Sequence, residues 1–189
     1  MRFLRLLPTA MLVVALPGCD HFGSADDDRP DAEIIIGTWD ASSVNALVDV
    51  GPLTVPIPLT GLEADEQSFD FGGDGRFDFV FDPDDDRRIT ISYQGTTYVD
   101  IPLPDGAVTL SGTYQVMESS EQIVFSTIEG QTGDDFAMGY DIRGNRAILE
   151  LRAEDPRTLG LLLGLAGEEY EVFAEYVTGG SITYDRRTL

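Results

Sequence analysis

Five phenylalanines between positions 69 and 81 all carry odd numbers: Phe69, Phe71, Phe77, Phe79 and Phe81. Between them the chain passes through Gly72-Gly73-Asp74-Gly75, and Asp70, Asp78 and Asp82 fill even positions. A period of two is the signature of a strand, not of a helix with its period of 3.6. One aromatic face and one acidic face make a hairpin with a dry side and a wet side. The register of such a hairpin is strongly specified, because a slip of one residue turns every ring to water. Each ring contributes about 1.5–3 kcal/mol on burial, against a domain's net stability of roughly 5–15 kcal/mol. The five rings are therefore expected to point inward together.

The same period runs on. Ile89 and Ile91 alternate with Thr90 and Ser92, and Val108, Leu110, Tyr114 and Val116 with Thr109, Ser111, Thr113 and Gln115. Phe136, Met138, Tyr140 and Ile142 follow, then the turn Arg143-Gly144-Asn145-Arg146, then Ala147, Leu149 and Leu151. Short strands joined by Gly/Asp/Asn turns predict an all-β fold with an antiparallel up-and-down sheet, closed into a barrel or, as the alternative, packed as a β-sandwich. Pro56 with Pro58, and Pro102 with Pro104, each remove donors from one side of a strand, which suits an unpaired edge at an opening of the sheet. One segment reads as a helix. Asp155 is an N-cap, Pro156 the first helical position, Arg157 to Ala166 a Leu-rich body, and Gly167 the stop. Apolar nearly all round, it is expected to plug an end of the barrel; a mobile lid or a partner-binding surface is the alternative. Gly160 and Gly164 have small-xxx-small spacing, but ten residues do not span a membrane.

Charge and rare residues exclude several chemistries. The 189 residues hold 12 basic side chains, all Arg, and 34 acidic ones, a net charge of −22, with one Cys (Cys19) and one His (His21). That charge repels phosphate backbones and argues against nucleic-acid binding. A single Cys and a single His cannot build a zinc site, and the barrel body has no His for a Ser-His-Asp or Cys-His triad. Asp82-Pro83-Asp84-Asp85-Asp86 alternates oxygen ligands as calcium prefers, but Arg87 stands where an EF-hand count needs Gly and Tyr93 where it needs Glu. A solvated turn is the expectation. No Gly-rich phosphate loop precedes a helix. No enzyme activity, cofactor or metal is expected.

Residues 1–18 carry Arg2 and Arg5, an apolar run from Leu6 to Leu16, and then Pro17-Gly18 before Cys19. This is the layout of a secretory signal peptide, and its end resembles the bacterial lipobox. The resemblance implies that Cys19 is acylated, with chains such as palmitate, and becomes the first mature residue. The lone thiol fits, since it has no partner for an internal disulfide. Residues 19–33, with Asp26, Asp27, Asp28, Asp31 and Glu33, are expected to form an acidic disordered tether, and residues 34–189 the barrel domain. Asp20 resembles an inner-membrane retention signal, whereas Ser24 to Asp28 resembles an acidic surface-export signal. The anchor is expected on a bacterial envelope membrane, at the outer membrane or cell surface rather than the inner membrane. The Lys-free, Asp-rich composition resembles proteins of salt-adapted bacteria; weak calcium binding by many acids is the alternative.

Ile36-Gly37-Thr38-Trp39 resembles the Gly-x-Trp signature that opens the first strand of lipocalins. Phe71-Gly72-Gly73-Asp74-Gly75-Arg76-Phe77 and Tyr140-Asp141-Ile142-Arg143-Gly144-Asn145 resemble two hairpins of bacterial lipocalin-like lipoproteins. The resemblance implies a lipocalin-like barrel, one short helix near its C-terminus, and a small apolar ligand in its interior, against Trp39, Phe69, Phe71, Phe77, Phe79, Tyr114 and Tyr140. The alternative is a structural or interaction protein of the envelope, with a filled barrel and no ligand. Either would be a monomer held to the membrane through Cys19.

Overall fold

A computed structural model describes residues 29–63, 66–127, 135–144 and 147–188. In chain order the elements are α1 (Asp31–Ile34), β1 (Gly37–Val50), β2 (Leu53–Pro58), β3 (Gln67–Phe71), β4 (Arg76–Phe81), β5 (Arg88–Tyr93), β6 (Thr96–Pro102), β7 (Val108–Met117), β8 (Gln122–Thr127), β9 (Phe136–Arg143), β10 (Ile148–Ala153), α2 (Pro156–Leu162), α3 (Gly167–Tyr176) and β11 (Val177–Arg186). Eight strands close an antiparallel barrel in the order β1-β3-β4-β7-β8-β9-β10-β11, and β11 returns to pair with β1. All-β antiparallel architecture is as the period-two pattern requires. β8 and β11 were not singled out in the sequence, although β11 completes the ring.

The rings set the register. Phe69 pairs with Phe79 and Phe71 with Phe77 across β3 and β4, and Gly72-Gly73-Asp74-Gly75 forms the turn. Gly75 takes a positive φ there, and the Arg76 amide donates to Asp74 Oδ1. All five odd-numbered Phe are buried, with Trp39 beside them. Strand β1 changes phase on the way: Trp39 and Ala41 are buried, then Val44, Ala46 and Val48. The shift falls at a bulge between Ala41 and Ser43, where one extra residue exchanges the two faces.

Both proline pairs lie on edges. β2 pairs only with the far half of β1, from Asn45↔Pro58 to Val50↔Leu53. The Leu59 amide donates to Val44 O, so odd-numbered amides of β2 face β1 and Pro56 and Pro58 face away. β5 and β6 form a separate two-stranded sheet. The Leu103 amide donates to Arg87 O, which turns Pro102 and Pro104 outward in the same way. Among the described residues one isolated β-bridge, Thr60↔Thr90, joins this hairpin to the chain after β2.

The helical region departs from expectation. Asp155 caps α2 as expected: its carboxylate accepts from the Thr158 amide at 2.9 Å and the Thr158 hydroxyl at 3.1 Å. But α2 ends at Leu162, not at Gly167. Gly164, at φ +66°, takes the left-handed position, and the Leu165 amide donates to Gly160 O while the Gly164 amide donates to Leu161 O. That bond pair is a Schellman stop, which needs glycine one residue past the cap. Gly167 instead opens a second helix, α3, so two short helices rather than one precede the last strand. α2 covers the end of the barrel where β11 begins, with Leu159, Leu162 and Leu163 fully buried. Gly160 seats the Tyr170 ring of α3, since a Cβ there would lie 2.9 Å from Tyr170 Cδ2.

Candidate functional site

The residues expected to face a ligand form the centre of the barrel. Phe69 lies 5.2 Å from Phe71, 4.8 Å from Phe79, 5.6 Å from Phe125 and 5.6 Å from Tyr184, measured between ring centroids. Phe77 meets Phe125 edge-on at 5.1 Å. These separations are those of rings in direct contact. Phe125 and Tyr184 belong to β8 and β11, so they entered the cluster with the two strands missed in the sequence. One polar pair is buried among the rings: the Tyr184 hydroxyl donates to Gln67 Oε1 at 3.0 Å, and Gln67 Nε2 donates to Leu162 O at 3.4 Å. Burial pushes the Tyr184 phenol well above its ordinary pKa.

The two tyrosines of the expected set have structural partners. The Tyr114 hydroxyl donates to Gly72 O at 3.0 Å and holds the β3–β4 turn. The Tyr140 hydroxyl donates to Asp31 Oδ2 at 2.7 Å, and Glu118 Oε1 accepts from the Asp31 amide. The helical turn α1, whose Asp31 and Glu33 fall in the stretch assigned to the tether, is thereby docked at the end of the barrel opposite α2. Ile34 and Ile35 are buried there. Trp39 Nε1 donates to Ile35 O at 2.7 Å, and the Arg186 guanidinium lies 5.1 Å over the indole while bonding Ile34 O. Gly37 serves this closure, because its φ of +129° is strained for any residue with a side chain.

The opening lies at the other end. The β9–β10 ladder stops at Gly139↔Arg152, after which β10 runs on into α2 while β9 stays paired with β8. Between them is a cleft of about 560 Å³, within the range of small-molecule sites. Phe136, Leu161, Leu165 and Tyr170 supply its apolar wall. Phe136 is half-buried and stacks on Phe125 at 4.8 Å and 12°, so the interior ring cluster surfaces in the cleft. Gln122, Asp135, Glu154, Asp155 and Arg157 form the polar rim. The sequence pointed to the Leu-rich helix but not to this cleft, because its wall combines β9, α2 and α3.

The acidic turn at Asp82–Asp86 is organised around an arginine. Arg87 reaches Asp84 at 3.0 Å, Glu63 at 2.5 Å and Glu66 at 3.4 Å, which fastens the β4–β5 loop to the chain before β3. These carboxylates raise the Arg87 guanidinium above its ordinary pKa, with the Glu63 bond the largest cause. Residues 1–28, which hold the expected signal peptide, Cys19 and the greater part of the expected tether, and Asn145 of the late hairpin lie outside the described residues. No family model matches the chain, and no curated protein matches it.

Proposed function

We propose that this protein is a lipid-anchored, lipocalin-like envelope protein whose barrel binds a small, mainly apolar molecule, and that the ligand sits in the cleft between β9 and α2. The observation that carries this reading is the cleft itself: about 560 Å³ with an aromatic and leucine wall, continuous through Phe136 with the interior rings. The interior rings Phe69, Phe71, Phe77 and Phe79, joined through Phe125 to Phe136, then act as a rigid backing for the cleft, while Trp39 closes the opposite end. The test is titration with the neutral fluorophore N-phenyl-1-naphthylamine. Saturable one-to-one binding that weakens about tenfold or more in Phe136→Ala and in Tyr170→Ala supports the reading. Absence of saturable binding overturns it.

The contact distances among the interior rings favour a second reading, an envelope protein of structural or interaction role with a filled barrel and no ligand. The same titration separates the two.

The anchor rests on the N-terminal layout, Arg2 and Arg5, the apolar run and Gly18-Cys19. With α1 docked at the Trp39 end, the chain toward Cys19 leaves the barrel from the end opposite α2 and the cleft. Mass spectrometry of the envelope fraction checks the anchor: the mature chain should begin at an acylated Cys19, and Cys19→Ser should abolish detergent partitioning.

A further inference from the structure

We infer that the cleft selects an amphipathic cation, an apolar or aromatic body carrying one amine, over neutral or anionic molecules of the same shape. This rests on the cleft being the binding site. Among the described residues the rim holds Asp135, Glu154 and Asp155 against one cation, Arg157, a local excess of two negative charges. Asp155 is occupied as the cap of α2, so the acids open to a ligand are Asp135 and Glu154, both exposed. They flank the point where the β9–β10 ladder stops. Arg157, on the first turn of α2, biases a ligand's ammonium toward the Asp135–Glu154 side.

The apolar wall adds to this preference. Phe136 and Tyr170 present aromatic rings, and an ammonium within about 6 Å of a ring centroid is attracted by its quadrupole. Leu161 and Leu165 cover the ligand's body. An anion of the same size would meet the rim's excess charge and a chain that carries −22 overall. The distant acids contribute little: at physiological ionic strength the screening length is about 8 Å. Asp70 and Asp78, on the outer face of β3 and β4, are three to four strands away round the barrel, at about 4.8 Å per strand. Selectivity is thus a property of the rim and not of net charge.

The experiment uses three probes that share one body, 4-phenylbutylamine, 4-phenylbutanol and 4-phenylbutyrate, titrated by calorimetry into the full-length chain at 150 mM salt. The amine should bind about tenfold or more tighter than the carboxylate, with the alcohol between them. The double variant Asp135→Asn/Glu154→Gln should lower amine affinity about fivefold and leave the alcohol unchanged. Asp70→Asn/Asp78→Asn removes the same charge elsewhere and should leave all three affinities unchanged. Equal binding of the three probes overturns the inference while the cleft stands as a site. A preference for the amine lost equally in both double variants also overturns it, by assigning the effect to net charge. No binding of any probe overturns the inference together with the reading on which it rests.

Discussion

Tyr184 and Gln67 form a polar pair that the barrel centre cannot easily spare. Tyr184→Phe leaves Gln67 Oε1 without its donor in a dry core, at a cost of roughly 1–3 kcal/mol. Gln67→Leu in the same chain should recover part of that loss, and a double-mutant cycle by urea denaturation measures it. The same phenol predicts a pH dependence. Burial raises Tyr184, burial and then the Asp31 bond raise Tyr140, and burial and then Asp74 raise Tyr114. Unfolded tyrosines ionise near pH 10, at about 10. Above that the folded chain binds more protons than the unfolded one. Stability is therefore fully present below about pH 10 and lost as pH climbs beyond it. Urea midpoints from pH 8 to 11 should show the fall, and Tyr184→Phe should make it shallower. On the outer face Asp70 and Asp78 stand directly opposite each other, a like-charge cross-strand pair. Asp78→Thr should stabilise the protein by roughly 0.2–1 kcal/mol in dilute buffer, and by less at high salt.

At the level of elements the barrel has few edges to protect. Eight strands close on themselves, leaving β2 and the β5–β6 hairpin as strands with an open side. Pro56 and Pro58 remove outward donors from β2, and Pro102 and Pro104 do so along and just beyond β6. A strand stripped of donors is a poor template for another chain. The double variant Pro56→Val/Pro58→Val restores two outward amides beside the exposed Leu53. It should raise self-association on light scattering while the urea midpoint moves little. Unchanged monodispersity would remove the edge argument. The helices obey a similar economy. Gly164 stops α2 through its left-handed backbone, and Gly160 admits the Tyr170 ring, so the small residues of the Leu-rich segment serve helix ending and helix packing.

For the whole molecule the dominant quantity is charge. Thirty-four carboxylates against twelve guanidiniums repel one another wherever salt does not screen them. Ion pairs such as Arg88–Asp100 and Arg187–Asp40 offset only part of this, because exposed pairs contribute little. The thermal midpoint should rise between dilute buffer and molar potassium chloride. A gain of about 1 kcal/mol corresponds to roughly 2–4 °C for a chain of this size. A flat or falling midpoint would remove the salt-adaptation reading.

The period-two alternation from Phe69 to Leu151 determined by itself that this chain is an antiparallel β fold with its five odd-numbered phenylalanines inside. It could do so because each strand reports its buried face locally, in every second residue. The prolines reported edges for the same reason, since a missing amide is a property of one residue. The ring's closure was not legible: β11 carries only Ile182 and Tyr184 as strong alternating signals beyond Gly179 and Gly180. The local pattern places the stop of α2 at Gly167, although Gly164 can adopt a left-handed backbone equally well. The packing of Gly164 against Pro104 and Val108 distinguishes them, whereas nothing crowds Gly167. The cleft was invisible for a deeper reason. Its wall and rim come from positions between 122 and 170, on strands and helices whose side chains converge only after the β9–β10 ladder stops and α2 turns across the barrel's end. That convergence is a property of tertiary geometry, and no local pattern encodes it.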